Sequence, residues 1–398
     1  MKKTNFIILT DVPFPYGMAA TNRILSIADG LLRNNIKVQV IIFRTSAYEK
    51  DNANKSVNGN YQNIPFIYTS NSVSRKNTFI GRRIQDIVGL INSVKCILSL
   101  PRNIKTTVII YTINPIHELL FFLISKIKGF QYIKEVSEHP SIYFKDKSIA
   151  SKLKYLYYYN LNYKLYDNLF IMTQNLINSL ADKKRKSANI LHVPMTVEIE
   201  RFNLVKASSQ EKYIAYAGYL NQEKDGILTL IDSFHLVSIK HPDIKLYLIG
   251  GNSNENDLKR VTDKITEYNL QNKIILTGNV NREELPLLLC NATILALARP
   301  SSLQAEMGFP TKLGEYLATA NPVVVTGVGE IPNYLEDNVN AFISEPDSSI
   351  AFANKIEMVL ADPDNAIQIG LAGRKIAEKY FNNITQAKKI IEFIELSN

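Results

Sequence analysis

"GFPTKLGEYLATANPVVVT" runs from Gly308 to Thr326. Pro310 suits the first position of a helix, where one N–H lacks an intrahelical partner anyway. Lys312 and Glu315 stand three residues apart and so share one face of that helix. The N–H groups and dipole of its first turn favour an anion. The β-branched run that follows reads as a short strand with no polar face, the pattern of a strand covered on both sides. A helix that runs straight into such a strand is half of a parallel α/β repeat.

The rest of the chain continues the rhythm. "NFIILT", "IKVQVIIF", "IPFIY", "TVIIY", "QYIKEV", "NLFIM" and "NILHV" read as strands before residue 200. "YIAYAG", "IKLYLIG", "KIILTG", "ATILALA", "PVVVT" and "AFIS" read as strands after 212. Helical segments such as 20–34, 81–100, 227–239 and 254–268 lie between them. Apolar strands alternating with helical crossovers indicate parallel sheets. The expected fold is α/β, with two doubly wound, Rossmann-like domains facing across a cleft. The join falls in the polar, irregular stretch "VPMTVEIERFNLVKASSQEK". Domains are expected at 1–195 and 212–380, with 381–398 a C-terminal helix that packs back on the first domain.

Bulk properties narrow the function. The chain has 398 residues, 46% hydrophobic and 21% charged, as in a globular protein with room for two or three domains. Cys96 and Cys290 have no metal or redox spacing and are expected as reduced core thiols. The opening run Phe6 to Leu9 is too short for a signal peptide and is read as a first strand. No stretch reaches the ~18 apolar residues of a membrane span. A cytoplasmic protein is therefore expected, and an exported solute-binding protein of similar layout is disfavoured. Net charge is +9, concentrated in residues 1–205, which hold 28 lysines and arginines against 13 acids. Residues 206–398 hold 18 against 24.

Ligands of open α/β sheets bind beyond the carboxyl ends of the strands, so the loops there carry the candidates. Lys312 places a point charge for a diphosphate, and Glu315 can accept from a ribose diol; the plain alternative is a surface ion pair. In "YAGYLNQEKDGILTLIDSF", 216–234, a strand ends at Gly218 and Lys224 stands before a helix. Two lysines from separate loops on one rim would meet at one diphosphate. Gly17, in the loop after the first strand, permits close backbone approach or is a turn glycine. The "DPD" at 362–364 reads as a helix cap and not a metal motif.

Together "YAGYLNQEKDGI", "LYLIGG", "ILTGNV", "FPTKLGEYLA", "NPVVVT" and the "VPMTVEIERF" hinge resemble, in order and spacing, glycosyltransferase family 4. This is a group of retaining, nucleotide-sugar-dependent enzymes of the GT-B fold. The resemblance covers most of 190–381 and is looser in the first domain, through "FPYGMAATNRI". It implies that Glu315 holds the ribose as the second Glu of a Glu-x7-Glu motif. Met307 occupies the first position, with Glu306 one residue off. Tyr219 stands where the family has Arg, Lys224 matches its partner Lys, and Arg299 or Lys312 supplies the missing charge. Val280 and Leu313 join the donor side. In the first domain Ser137 falls in the register of a family His, with Glu138 and His139 beside it. Glu138, His139 and Glu306 are the catalytic candidates. His139, on a loop, is placed to donate to the sugar or leaving phosphate, or is structural.

The resemblance implies a hexosyltransferase that works with retention, and with no clear acidic dyad in the sequence a transfer without metal or other cofactor is expected. Its substrates are a nucleotide-sugar, UDP-sugar favoured, and a glycan or lipid-linked acceptor in surface polysaccharide synthesis. A GT-B sugar-nucleotide epimerase and a non-catalytic sugar- or nucleotide-binding protein are the alternatives. The lysines and six tyrosines of 145–168, and "LLFFLISKIKGF", suit an anionic membrane surface at the inner face. No nucleic-acid motif is present.

Overall fold

The computed structural model describes residues 4–49, 53–144, 148–204, 211–252 and 254–397. The chain divides into two units, one of Met1–Thr196 with Asn383–Asn398, the other of Val197–Asn382.

Among its described residues the first unit is built on an eight-stranded sheet. The strands are β1 (Thr4–Thr10), β2 (Lys37–Ile42), β3 (Asn58–Tyr61), β4 (Ile64–Tyr68), β5 (Lys105–Tyr111), β6 (Gln131–Val136), β7 (Asn168–Ile171) and β8 (Asn189–His192). Their order is β3-β4-β2-β1-β5-β6-β7-β8, parallel except for the β3–β4 pair. The helices are α1 (Ala19–Arg33), α2 (Phe79–Ser99), α3 (Pro115–Lys128), α4 (Ile149–Asn160) and α5 (Gln174–Leu180). The strand order reverses between β1 and β5, so this is a doubly wound sheet.

β3 is the strand that apolar patterning misses. Its sequence, Asn-Gly-Asn-Tyr, is mostly exposed and has no buried face to read. It pairs antiparallel with β4 across Gln62 and Asn63, both at positive φ, which is the geometry of a two-residue hairpin turn.

The chain returns to this unit as a helix, Asn383–Leu396, lying along α1. Ala387, Ile390, Ile391 and Ile394 enter the core formed by Ile24, Ala28, Leu31 and the sheet. Asn383 fixes its start by donating to the Ser26 carbonyl and to Asp29, 3.2 and 2.8 Å.

The second unit has a six-stranded, all-parallel sheet among its described residues. It comprises β9 (Tyr213–Ala217), β10 (Lys245–Ile249), β11 (Ile274–Gly278), β12 (Ile294–Leu297), β13 (Val323–Thr326) and β14 (Phe342–Ser344), in the order β11-β10-β9-β12-β13-β14. Helices α6 (Gln222–Asp225), α7 (Ile227–Lys240), α8 (Glu255–Glu267), α9 (Leu285–Cys290), α10 (Leu303–Met307) and α11 (Thr311–Ala318) follow, then α12 (Ile331–Tyr334), α13 (Ser349–Ala361) and α14 (Pro363–Ile376). Here the order reverses between β9 and β12, which makes their carboxyl ends the switch point of the sheet. Asp362 caps α14 by accepting from the Asn365 N–H. Cys290 is buried and Cys96 half-buried, and the two are not joined in a disulfide.

Candidate active site

The switch point of the second unit gathers charge from three loops. β9 ends at Ala217, and Gly218 follows at φ +147°. α6 then carries Lys224 and Asp225, β12 leads into Arg299, and α11 brings Lys312. The Lys312 ammonium lies 2.5 Å from Asp225 Oδ2 and donates to the Tyr216 hydroxyl at 3.1 Å. It sits 4.5 Å above the centre of the Tyr216 ring. Tyr216 is within 2.8 Å of the same Asp225 oxygen. Arg299, buried, donates from Nε to the Lys224 carbonyl at 3.3 Å, tying the β12 loop to α6.

Two glycines permit this packing. A Cβ on Gly218 would lie 2.4 Å from the Lys312 ammonium. A Cβ on Gly226, at φ +69°, would lie 1.7 Å from the Ala298 carbonyl oxygen. Side chains at these positions would displace the lysine and part α6 from β12.

The electrostatics follow from crowding. Burial opposes ionisation of Asp225, but the Lys312 and Arg299 charges outweigh it and hold the carboxyl below its ordinary range. Burial lowers the Lys312 pKa; Asp225 opposes that, and Lys224 and Arg299 add to it. Lys312 and Arg299 act on the one carboxylate and Lys224 acts on Lys312, which leaves a positive surplus, suited to an anion and poor as a donor set for a metal ion. The N-cap of α11 is Pro310, which makes no side-chain capping bond, so the helix mouth adds its own positive end.

Glu315, one turn along α11, turns elsewhere. Its Oε1 lies 3.4 Å from Arg201 Nη1. Arg201 also donates to the Arg282 carbonyl at 2.6 Å, and Arg282 pairs with Glu198 at 2.5 Å. Burial raises the Glu315 pKa against the pull of Arg201 and Arg282. Lys312 and Glu315 therefore do not form an ion pair with each other. Each is held by its own partner, Lys312 by buried Asp225 and Glu315 by half-buried Arg201.

The other expected residues fall as follows. Lys224 is exposed beside the cluster, and the Tyr219 carbonyl lies 2.6 Å from the Tyr216 hydroxyl while its ring is exposed. Val280 is half-buried in the loop after the edge strand β11, two residues before Arg282. Leu313 is wholly in the core, and its N–H donates to the Pro310 carbonyl. Glu306 is exposed on α10, whose N-cap is Ser302. Sequence reading passed over Asp225, Tyr216 and Arg201. Asp225 lies in the quoted "KDGI", but an Asp before a Gly reads first as a turn residue.

The remaining candidates belong to the first unit. Gly17 is exposed, with the Thr21 hydroxyl occupying its side-chain space 2.1 Å from an ideal Cβ. Ser137 Oγ lies 2.8 and 2.7 Å from the two oxygens of Glu135, which forms a buried pair with Arg23 at 3.2 Å. Glu138 is half-buried. His139 is buried, and its Nδ1 accepts from the Ser141 N–H at 3.3 Å, capping the turn Pro140–Ile142. Burial lowers its pKa, and an Nδ1 that accepts leaves the ring proton of the neutral form to Nε2.

The chain is similar to several known proteins. Residues 198–376 match the sequence model of the family described as Glycosyl transferases group 1. The amylovoran biosynthesis glycosyltransferase AmsK of Erwinia amylovora is 26% identical over 204 residues, 50% of this chain and 49% of that protein. The capsular polysaccharide biosynthesis glycosyltransferase CapM of Staphylococcus aureus is 26% identical over 213 residues, 47% of this chain and 49% of that protein. The chain spans about half the length of the curated relatives it matches. Among solved structures, sucrose-phosphate synthase from Thermosynechococcus elongatus aligns with a TM-score of 0.73 at 15% identity, over 98% of both chains. HepE from Anabaena, in complex with UDP, aligns at 0.70 and 16% identity, over 98% of this chain and 99% of that one. The fold is thus the two-domain α/β GT-B fold of those glycosyltransferases, and the second unit carries the sequence signature of glycosyl transferases group 1.

Proposed function

We propose that the protein is a retaining, metal-independent glycosyltransferase. It moves a hexose from a nucleotide-sugar, a UDP-sugar first, to a glycan or lipid-linked acceptor in surface polysaccharide synthesis, peripherally at the inner face of a membrane. The observation that carries the reading is the pairing of Lys312 with buried Asp225 at the switch point of the second sheet, with Arg299 bonded to the Lys224 carbonyl beside it. A diphosphate answers that surplus charge. HepE, of the same fold, was solved with UDP-glucose. AmsK and CapM, by their names, serve polysaccharide synthesis.

In this reading Glu315, oriented by Arg201, accepts from the ribose hydroxyls. The bond between the anomeric carbon and the diphosphate oxygen breaks with its electron pair going to the diphosphate. Lys312, Lys224 and the α11 N-terminus stabilise the developing charge. The acceptor oxygen attacks from the same face, and its proton passes to the departing diphosphate.

Thermal shift with UDP-, GDP-, dTDP- and ADP-sugars, followed by nucleotide release with acceptor membranes, tests the proposal. The UDP-sugars are expected to raise the melting temperature, and sugar is expected to move only when acceptor is present. Sugar isomerisation without acceptor would mark an epimerase, and no response to any nucleotide would end the donor assignment.

A further inference from the structure

Helices that cover a sheet turn their apolar side inward, and α2 does the reverse. Its buried positions are Gln85, Gly89, Ser93 and Ile97. Ile80, Ile84, Ile87, Ile91 and Leu98 form one outward stripe, with Ile80 71% exposed. The inward polar groups are satisfied: Gln85 donates to the Ser74 carbonyl at 2.9 Å, and Ser93 bonds the Thr69 hydroxyl at 2.7 Å. The inversion is therefore built in.

α3 repeats the pattern. It buries His117, Glu118 and Ser125 beside Phe121 and turns Ile116, Leu119, Leu123 and Ile127 outward, Ile116 being 76% exposed. α4 presents Ile149, Leu153 and Leu156, with Ile149 78% exposed. Its Tyr158 points inward to Glu118 at 3.2 Å, and Tyr163 and Tyr166 are buried as well. These tyrosines of the 145–168 stretch belong to the core, so the outward contact falls to isoleucine and leucine.

The three stripes share one side. The connections β4–β5, β5–β6 and β6–β7 step the same way across a parallel sheet. Right-handed crossovers then place α2, α3 and α4 side by side on one face, opposite α1. α2 packs on α3, and α3 is bonded to α4 through Glu118 and Tyr158. Arg82, Arg83, Lys95, Lys128, Lys152 and Lys154 lie on these helices. Of their acids, Asp86 holds Arg75 and Arg44, and Glu118 is buried against Lys134.

We propose that the outer faces of α2, α3 and α4 form a docking surface for an anionic phospholipid bilayer. The apolar stripes lie at the headgroup–acyl boundary, and the cations meet the phosphates. Charge selects this occupant over a second copy, which would present the same cations to each other. The inference rests on the peripheral placement proposed above, and it replaces simple electrostatic adsorption with insertion that survives salt.

The full chain is sedimented with phosphatidylcholine vesicles, with and without phosphatidylglycerol. Binding to the phosphatidylglycerol vesicles is expected, and a bound fraction persists when salt is raised after docking. Ile84→Glu combined with Ile87→Glu, and separately Leu123→Glu, are each expected to cut binding by about tenfold or more. Both retain the wild-type melting curve and the UDP thermal shift, measured without vesicles, so membrane docking and donor binding fail separately. If the α2 variant melts early, Leu123→Glu carries the test. Wild type that does not sediment at low salt, variants that bind as wild type, or a dimer that the same substitutions dissolve would each overturn the proposal.

Discussion

Lys312 has three ammonium protons, and Asp225 and Tyr216 engage two of them. The direction left to the third is where a phosphate oxygen is expected. Removing Lys312 leaves the buried carboxylate to Arg299 and the Tyr216 hydroxyl, so Lys312→Ala should cost at most about 3–5 kcal/mol in stability. Lys312→Ala with Asp225→Ala should recover much of that stability without recovering donor use. Recovery of both, by melting and by nucleotide release, would assign the pair to the fold alone. Lys224 is exposed, so Lys224→Ala should stay within about 0.5 kcal/mol of wild type. Its kcat/KM for donor should fall roughly 100-fold; unchanged kinetics would remove it from the site. The Asp225 carboxyl is held below its ordinary 3.8. Its stabilisation is present above that value and is lost as pH falls through the lower folded pKa. Acid unfolding of Asp225→Asn should accordingly show a shallower limb than wild type. At this scale the sequence showed Lys312 and Glu315 on one helix face, because i,i+3 spacing is local. It hid their partners, because Asp225 and Arg201 arrive from other loops.

Helices and strands were readable where burial imposes a period. Strands such as β1, β9, β12 and β13 are almost wholly buried, and each was recognisable from composition. β3 was not, because an exposed edge of Asn and Gly carries no hydrophobic signal. The isoleucine stripe of α2 has the spacing of a core face, yet it points outward. The reason is that Ser74 and Thr69, from the segment after β4, satisfy its polar side. The C-terminal helix behaves in the ordinary way, with Ile390 buried against the α1 core. Ile390→Ala should therefore cost about 2–4 kcal/mol. Hydrogen exchange along α1 should quicken, and unchanged protection there would show that the contact does not stabilise α1.

Across the whole molecule, the doubly wound character was evident because one α/β step is repeated from beginning to end. Sequence also showed the charge asymmetry of the two halves, but not which side of a sheet the isoleucines occupy. The covering of α1 by 383–396 has a consequence for synthesis. A ribosome releases the first 196 residues long before the segment that seals them. The contiguous second unit is positioned to fold earlier, while the older part waits with a greasy flank open. Chains halted after Asn382 should be cut by protease within the early residues, whereas full-length chains resist. Equal resistance would show that this flank needs no seal. Chaperone demand should then track the interval between the two exits, so that slowing translation across the middle of the message prolongs the vulnerable period.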